Sequence, residues 1–350
     1  MVSAYEYSRA ELAELLSDEP RYRVDQVWHG LWDEALDVGS ITTIPKALRA
    51  SLAERFSPGL EVVADVSSDR GSTRKWVFRL ADGATIETVL MGYEDRVTVC
   101  VSSQAGCAMG CTFCATGQAG FTRHLTTGEV VEQVMFAARR AAPRRLSNVV
   151  FMGMGEPLAN YRVTAEVVRR LHEYRGLSAR HLTVSTVGVA PAIERLARQG
   201  LPLTLAVSLH AANDATRDEL VPLNRRYPLQ RLHEACATWV AVTGRRLSFE
   251  WALIDGVNDT DRAADELADY ATSLRAHVNL IPLNPTPGYL VRGSSPARVR
   301  AFHEGLVARG VNATVRNTRG RSIDAACGQL AAVTNGRHRS IAVRGVVGTR

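Results

Sequence analysis

Three cysteines, Cys107, Cys111 and Cys114, stand in a C-x3-C-x2-C array, with the aromatic Phe113 just before the third and Gly106, Gly110, Gly117 and Gly120 around them. Three thiolates on one loop can hold three irons of a 4Fe-4S cubane and leave the fourth iron open. A fully ligated cluster only passes electrons, whereas an open iron can bind a cofactor directly and cleave it. Blander readings compete. Structural zinc takes four tetrahedral ligands, and His124 is the one close extra candidate. Cys111 and Cys114 alone would also fit a redox dithiol. A buried, inert cysteine is the third alternative.

Elements that could position this loop follow from periodicity. From about residue 97 short apolar runs alternate with helical stretches, the pattern of a parallel sheet. The runs predict strands at 97–101, 148–152, 182–186, 203–208, 247–254, 277–282 and 312–316. One helix opens with the capping box Thr126 and Glu129, and others are expected near 190–199, 229–242, 261–274 and 296–310. Six or seven strand-helix units are too few for a closed eightfold barrel, so the fold class is α/β with an open, partial parallel barrel. The unusual residues follow the strands: the cysteine loop after the first, Gly153-Met-Gly-Glu-Pro157 after the second, Ser185 in the third, Ser208-Leu-His210 ending the fourth and Asn284 after the sixth. In a parallel barrel those loops share the carboxyl face, where substrates bind.

The amino-terminal part reads differently. Ser8 with Glu11 makes a capping box, and Val24, Val27, Trp28, Leu31 and Trp32 form an amphipathic stripe, most simply a core face. Leu48, Leu52 and Phe56 mark a further helix, and runs at 75–80 and 85–91 around Ala-Asp-Gly-Ala predict a β-hairpin. The expected organisation is a helical accessory domain at 1–70, a connecting hairpin at 71–92, the barrel at 93–330 and a basic tail at 331–350.

Composition narrows the class. With 350 residues, 46% of them hydrophobic, the chain can bury a sizeable core. It has no run of about 18 apolar residues, and 1–16 carry acids rather than a leader pattern, so a soluble, cytoplasmic protein without membrane attachment is expected. Six cysteines with three on one loop do not resemble a secreted disulfide framework. The net charge of +6 suits a polyanionic partner. Of 42 basic residues only Lys46 and Lys75 are lysine, a skew that favours genomic base composition over selection for phosphate binding.

The Cys-x3-Cys-x-Phe-Cys loop and the Gly-Glu-Pro after the second strand resemble the radical S-adenosylmethionine superfamily. Cys100-Val-Ser-Ser-Gln104, Ser208-Leu-His-Ala-Ala-Asn213, Asn279-Leu-Ile-Pro-Leu-Asn-Pro285 and Ile323-Asp-Ala-Ala-Cys-Gly-Gln-Leu330 are similar to the RlmN/Cfr family of RNA adenine methyltransferases within it. The likeness covers about 5–330.

This resemblance implies a radical methyltransferase acting on C2 of an adenine in 23S rRNA near the peptidyl transferase centre, with an adenine beside the tRNA anticodon as a further substrate. It implies a 4Fe-4S cluster on Cys107, Cys111 and Cys114 and two molecules of S-adenosylmethionine per turnover. Gly155, Glu156, Ser185, Ser208, Leu209, His210 and Asn284 match the cofactor contacts. Cys327 matches the cysteine that is methylated and joined to adenine, Cys100 the thiol that releases the product through a transient disulfide, and Glu87 the proton acceptor. Read without the resemblance, Cys100 and Cys327 are core, Glu87 is a solvated hairpin residue, and Cys236 is core in either case. Flavodoxin or ferredoxin would supply electrons to a monomer. Arg316, Arg319, Arg321 and the tail are expected to anchor phosphate. A Cfr-like enzyme methylating C8 is the near alternative, and a zinc-dependent, non-catalytic RNA-binding protein the distant one.

Overall fold

The computed structural model describes residues 2–56, 58–283, 292–316, 323 and 330. Three helices open the chain: α1 (Arg9–Leu15), α2 (Tyr22–Trp32) and α3 (Lys46–Arg55). The capping box at Ser8 forms as expected, its hydroxyl accepting from the Glu11 N–H and the Glu11 carboxylate accepting from the Ser8 N–H. Val24, Val27, Leu31 and Trp32 are buried, with Trp32 packed edge-on against Tyr5 and Tyr174. The aromatic stripe is therefore core.

Strands β1 (Glu61–Ser68), β2 (Thr73–Arg79) and β3 (Thr85–Gly92) form an antiparallel meander. Residues 61–68 were expected inside the helical unit and instead form this edge strand. Both its faces are largely exposed, so no alternating burial pattern marked it in the sequence. β4 (Val97–Cys100) follows, then β5 (Gln104–Gly106), the short α4 (Ala115–Ala119) and β6 (Phe121–His124), β5 and β6 pairing as a separate ribbon.

From there strands and helices alternate: α5 (Thr127–Ala141), β7 (Asn148–Phe151), α6 (Tyr161–Glu173), β8 (Leu182–Thr186), α7 (Ala190–Ala197), β9 (Thr204–Ser208), α8 (Asp214–Leu220), α9 (Leu229–Thr243), β10 (Ser248–Leu253), α10 (Asp261–Ser273), β11 (His277–Pro282), α11 (Pro296–Ala308) and β12 (Asn312–Val315). All seven expected parallel strands are present, each within a residue or so of its predicted ends. α6 and α8 were not anticipated.

One ten-stranded sheet runs β1-β2-β3-β4-β7-β8-β9-β10-β11-β12, parallel from β4 onward and not closed on itself among the described residues. The hairpin is thus a direct extension of the barrel sheet. Alternation gives its two faces opposite characters. Val149, Phe151, Val184, Leu205, Val207, Phe249, Trp251, Val278 and Leu280 are fully buried on one face. The other face carries Glu87 and Cys100, then Met152, Ser185, Ser208, Glu250 and Asn279, related by the strand registers. That polar face is where the site forms.

Candidate active site

The cysteine loop is braced at both ends by its own backbone. Gly106 has φ +76°, and a Cβ there would lie 2.0 Å from the Gly120 carbonyl, so the β5 and β6 backbones can meet only through glycine. The Cys107 N–H donates to that carbonyl at 2.8 Å. Further on, the Cys114 N–H donates to Cys111 O and the Gln118 side-chain amide to the same oxygen. From outside, the Thr112 N–H donates to Leu220 O at 3.1 Å, and the Phe113 ring meets the His210 ring edge-on at 4.5 Å.

All three cysteines line one cavity of about 1010 Å³, measured out to its open mouth, together with Gly155, Glu156, Ser185, Ser208 and His210. Burial pushes the Cys107 thiol up to about 12 and Cys111 higher still, so both are protonated thiols unless a metal displaces the proton. Zinc binds its donors within about 2.3 Å of one point. Among the described residues no three His, Cys, Asp or Glu side chains converge in that way. Three thiols of one loop that line one cavity fit a cubane, where each takes a different iron. His124 is exposed on β6 and engaged with the Gln104 side chain at 3.0 Å, outside the cavity lining.

Glu156 joins two turns. Its carboxylate accepts from the Leu158 N–H at 2.9 Å and the Val187 N–H at 2.8 Å, while its own N–H donates to Gln104 Oε1 at 2.8 Å. Burial raises it to about 7 against the lowering effect of those hydrogen bonds. The Thr186 side chain adds a further hydrogen bond to this carboxylate. Gly155 has φ +96°, and a Cβ there would meet the Gln104 side chain at 2.5 Å, so this turn needs glycine as well.

His210 has a left-handed backbone (φ +59°), and its Nδ1 accepts from the Ala252 N–H at 3.0 Å. Burial holds it down to about 3, leaving a neutral ring with its hydrogen on Nε2. Leu209 points into the core and reaches the site only through its backbone, donating to Glu250 O. Sequence reasoning missed Arg217, which fixes this region. Its buried guanidinium donates to the carbonyls of Val187 at 2.6 Å, Leu209 at 3.0 Å and Ser208 at 3.4 Å, and to Asn224 Oδ1 at 2.8 Å. Arg217 lies on a seven-residue helix whose short pattern carried no periodic signal.

Residues 101–269 match the profile of the Radical SAM superfamily. The chain is 54% identical to a probable dual-specificity RNA methyltransferase RlmN from Frankia alni, over 92% of this chain and 81% of that one. A protein of the same description from Parafrankia sp. is 52% identical over 97% and 96%. The chain belongs to the RlmN family. A crystal structure of a radical SAM methyltransferase from Sphaerobacter thermophilus superposes with TM-score 0.92 at 52% identity, covering 95% of this chain and all of that one. The superfamily implies a 4Fe-4S cluster and S-adenosylmethionine.

Glu87 and Cys100, also matched to RlmN chemistry, lie on the polar face of the sheet. Glu87 is buried, which corrects the solvated-hairpin alternative, and its carboxylate is 3.3 Å from Lys75 Nζ. The Ser102 hydroxyl donates to the Glu87 carbonyl at 2.6 Å. Cys100 is buried at the end of β4, outside the cavity lining, in register with Val89 and therefore on the same side of the sheet as Glu87. Cys236 is in the core. Asn284, Cys327, Arg319 and Arg321 lie outside the described residues. Leu330, three residues beyond Cys327, lines the cavity, and its carbonyl accepts from the Thr116 hydroxyl at 2.5 Å. No helix among the described residues is long and apolar enough to cross a membrane.

Proposed function

We propose that the protein methylates C2 of an adenine in RNA, with 23S rRNA as principal substrate and an adenine beside the tRNA anticodon as a second. The observation that carries this reading is one cavity lined by Cys107, Cys111, Cys114, Gly155, Glu156, Ser185, Ser208 and Leu330. With a cluster on the three cysteines and S-adenosylmethionine bound, the site supplies a carbon radical, needed because adenine C2 is an unactivated aromatic carbon.

The chain's own groups do the rest. Gly155, Glu156, Ser185, Ser208, His210 and Asn284 hold the cofactor, Leu209 contributing backbone. Cys327 accepts a methyl group from one S-adenosylmethionine, and after loss of hydrogen to the radical from a second, its methylene carbon bonds to C2. Glu87 takes the C2 proton, and the unpaired electron left on the ring would be accepted by the oxidised cluster that Cys107, Cys111 and Cys114 would hold, which leaves a closed-shell thioether adduct. The Cys100 thiolate then attacks the sulfur of Cys327, forming the S–S bond and breaking the S–CH2 bond, and the released carbon is protonated to a methyl group. Such an adenine must leave its stack to enter the cavity, so a distorted or single-stranded element suits it better than an intact duplex.

We further propose that it works as a cytoplasmic monomer reduced by a flavodoxin or ferredoxin. Mass spectrometry of digested RNA after anaerobic turnover tests the central reading. Co-elution of the product with 2-methyladenosine is expected. Co-elution with 8-methyladenosine would overturn it in favour of Cfr-like chemistry, and a protein carrying zinc without iron or sulfide would overturn the enzyme reading altogether.

A further inference from the structure

Gln133 on α5 is fully buried, between the apolar Val130 and Ala137 on the same helix face. A carboxamide is tolerated there only if its donors and its acceptor oxygen are met. All of them find partners. Its Oε1 accepts from the Thr88 hydroxyl and the Ser102 N–H, each at 2.8 Å, and its Nε2 donates to Ser102 O at 3.0 Å and Glu129 O at 3.2 Å. One side chain thus holds both backbone groups of Ser102. That grip stands where a strand ladder would otherwise run. β3 and β4 pair antiparallel with Val89 opposite Cys100, and the same register continued would set Ser102 opposite Glu87. Pairing stops at Cys100, and Val101 follows β7 instead, its N–H donating to Val150 O at 3.0 Å. The Ser102 hydroxyl spans the gap, donating to Glu87 O at 2.6 Å and accepting from the Met154 N–H at 2.9 Å. Met154 directly precedes Gly155 and Glu156. One buried hydroxyl therefore joins the backbone of Glu87 to the backbone of the glycine turn.

We propose that Ser102, locked by Gln133, is a positioning residue that sets Glu87 at the distance from the adenine that proton removal requires. The assignment rests on the C2 reading above, in which Glu87 takes the proton. Such a transfer needs heavy atoms about 2.6–3.2 Å apart, so the run of the β3 backbone matters. Glu87 lies beyond the end of the β3–β4 ladder and pairs in register with Val77 of β2 on its other side. Toward β4 its backbone is restrained by the Ser102 hydroxyl, while the neighbouring Thr88, on the opposite face of the strand, is tied to Gln133. A leucine at position 133 would serve packing alone, whereas a fully satisfied amide fixes where two chain segments run. Methyl transfer to Cys327 makes no use of Glu87, and the later step at C2 does. Loss of the Ser102 hydroxyl therefore separates two steps of one turnover.

The test uses the anaerobically reconstituted, full-length protein and RNA carrying hydrogen or deuterium at adenine C2. In Ser102→Ala, methylation of Cys327, read by mass spectrometry, is expected at the wild-type rate. Methyl transfer to saturating RNA is expected to slow about tenfold, because a small misplacement of a reacting group costs rate steeply. The ratio of C2-hydrogen to C2-deuterium rates should rise about twofold over that of wild type, since proton removal then limits the step. A merely structural role would slow both methylations alike and leave the ratio unchanged, and either that result or wild-type turnover on RNA would overturn the proposal. Thr88→Val, which is isosteric and removes a donor to Gln133, should raise the same ratio by a smaller factor. Should Ser102→Ala fail to fold, an unchanged ratio in Thr88→Val would overturn the proposal in its place. A wild-type product methylated elsewhere on the adenine would instead remove the C2 reading itself.

Discussion

Lys75 and Glu87, on neighbouring strands of the hairpin, form a buried ion pair with Nζ and carboxylate 3.3 Å apart, on the face of the sheet that also carries Cys100. Lys75 is one of only two lysines in the chain, where arginine supplies nearly every other cation. A lysine presents a compact charge on a flexible stem and does not hold a carboxylate in a bidentate grip as arginine does. Replacing it by methionine leaves a buried carboxylate without its cation, and breaking such a pair costs about 3–5 kcal/mol. Lys75→Met is expected to lower the melting temperature and to slow methyl transfer, read by thermal melts and by single-turnover RNA methylation. Glu87→Gln should lose methyl transfer. A Lys75→Met variant that melts lower but methylates at the wild-type rate would confine the pair to a structural role.

The two remote thiols separate by phenotype. Cys327→Ala is expected to abolish RNA methylation while leaving iron and sulfide content unchanged. Cys100→Ala should trap a covalent protein–RNA species, seen as a band shift on a denaturing gel that nuclease removes. An active Cys327→Ala variant would refute the covalent route but not the cluster.

Arg217 predicts a change in the site without any contact to the reacting atoms. Its one guanidinium serves carbonyls of residues 187, 208 and 209, and a lysine has neither the fork nor the reach to do so. Arg217→Lys should destabilise by about 2–3 kcal/mol and weaken S-adenosylhomocysteine binding, with no rescue relative to Arg217→Met. Thermal melts with and without ligand measure both effects.

Glu132 makes stability depend on pH. On α5 it accepts from the Ser3 hydroxyl at 2.9 Å and the Gly59 N–H at 3.0 Å, fastening the amino-terminal segment to the barrel, and burial raises it to about 7. A carboxyl raised in the folded state contributes stability below its unfolded value near 4.5, and that contribution is lost as pH rises through about 7. The melting temperature should therefore fall between about pH 5 and pH 8, and Glu132→Gln should flatten that slope. Equal slopes in wild type and variant would disprove the assignment.

Much of the barrel was legible because each of its parallel strands is a short apolar run bounded by loops, and β4 and β7 through β12 appear where those runs lie. The same rule failed for β1, whose side chains are exposed on both faces and so leave no periodic trace. It failed for α8 because seven residues are too few to display a helical period. Cysteine spacing and the Gly-Glu-Pro turn were readable as chemistry because both are local: the loop must bring three thiols together, and the turn requires glycine where its backbone meets Gln104.

What the sequence determined by itself was therefore the set of reactive groups and the order of elements that carry them. Only the tertiary structure decided the environments that tune those groups. Glu87 reads as a solvated hairpin residue until β2 and the sheet bury it against Lys75, and only packing shows that the His210 ring in the cavity wall is neutral and set against Phe113. Arg217 carried no signal at all, because its role depends on partners brought together from separate strands and turns. Burial and hydrogen bonding between distant segments are properties of the packed chain, and no local pattern encodes them.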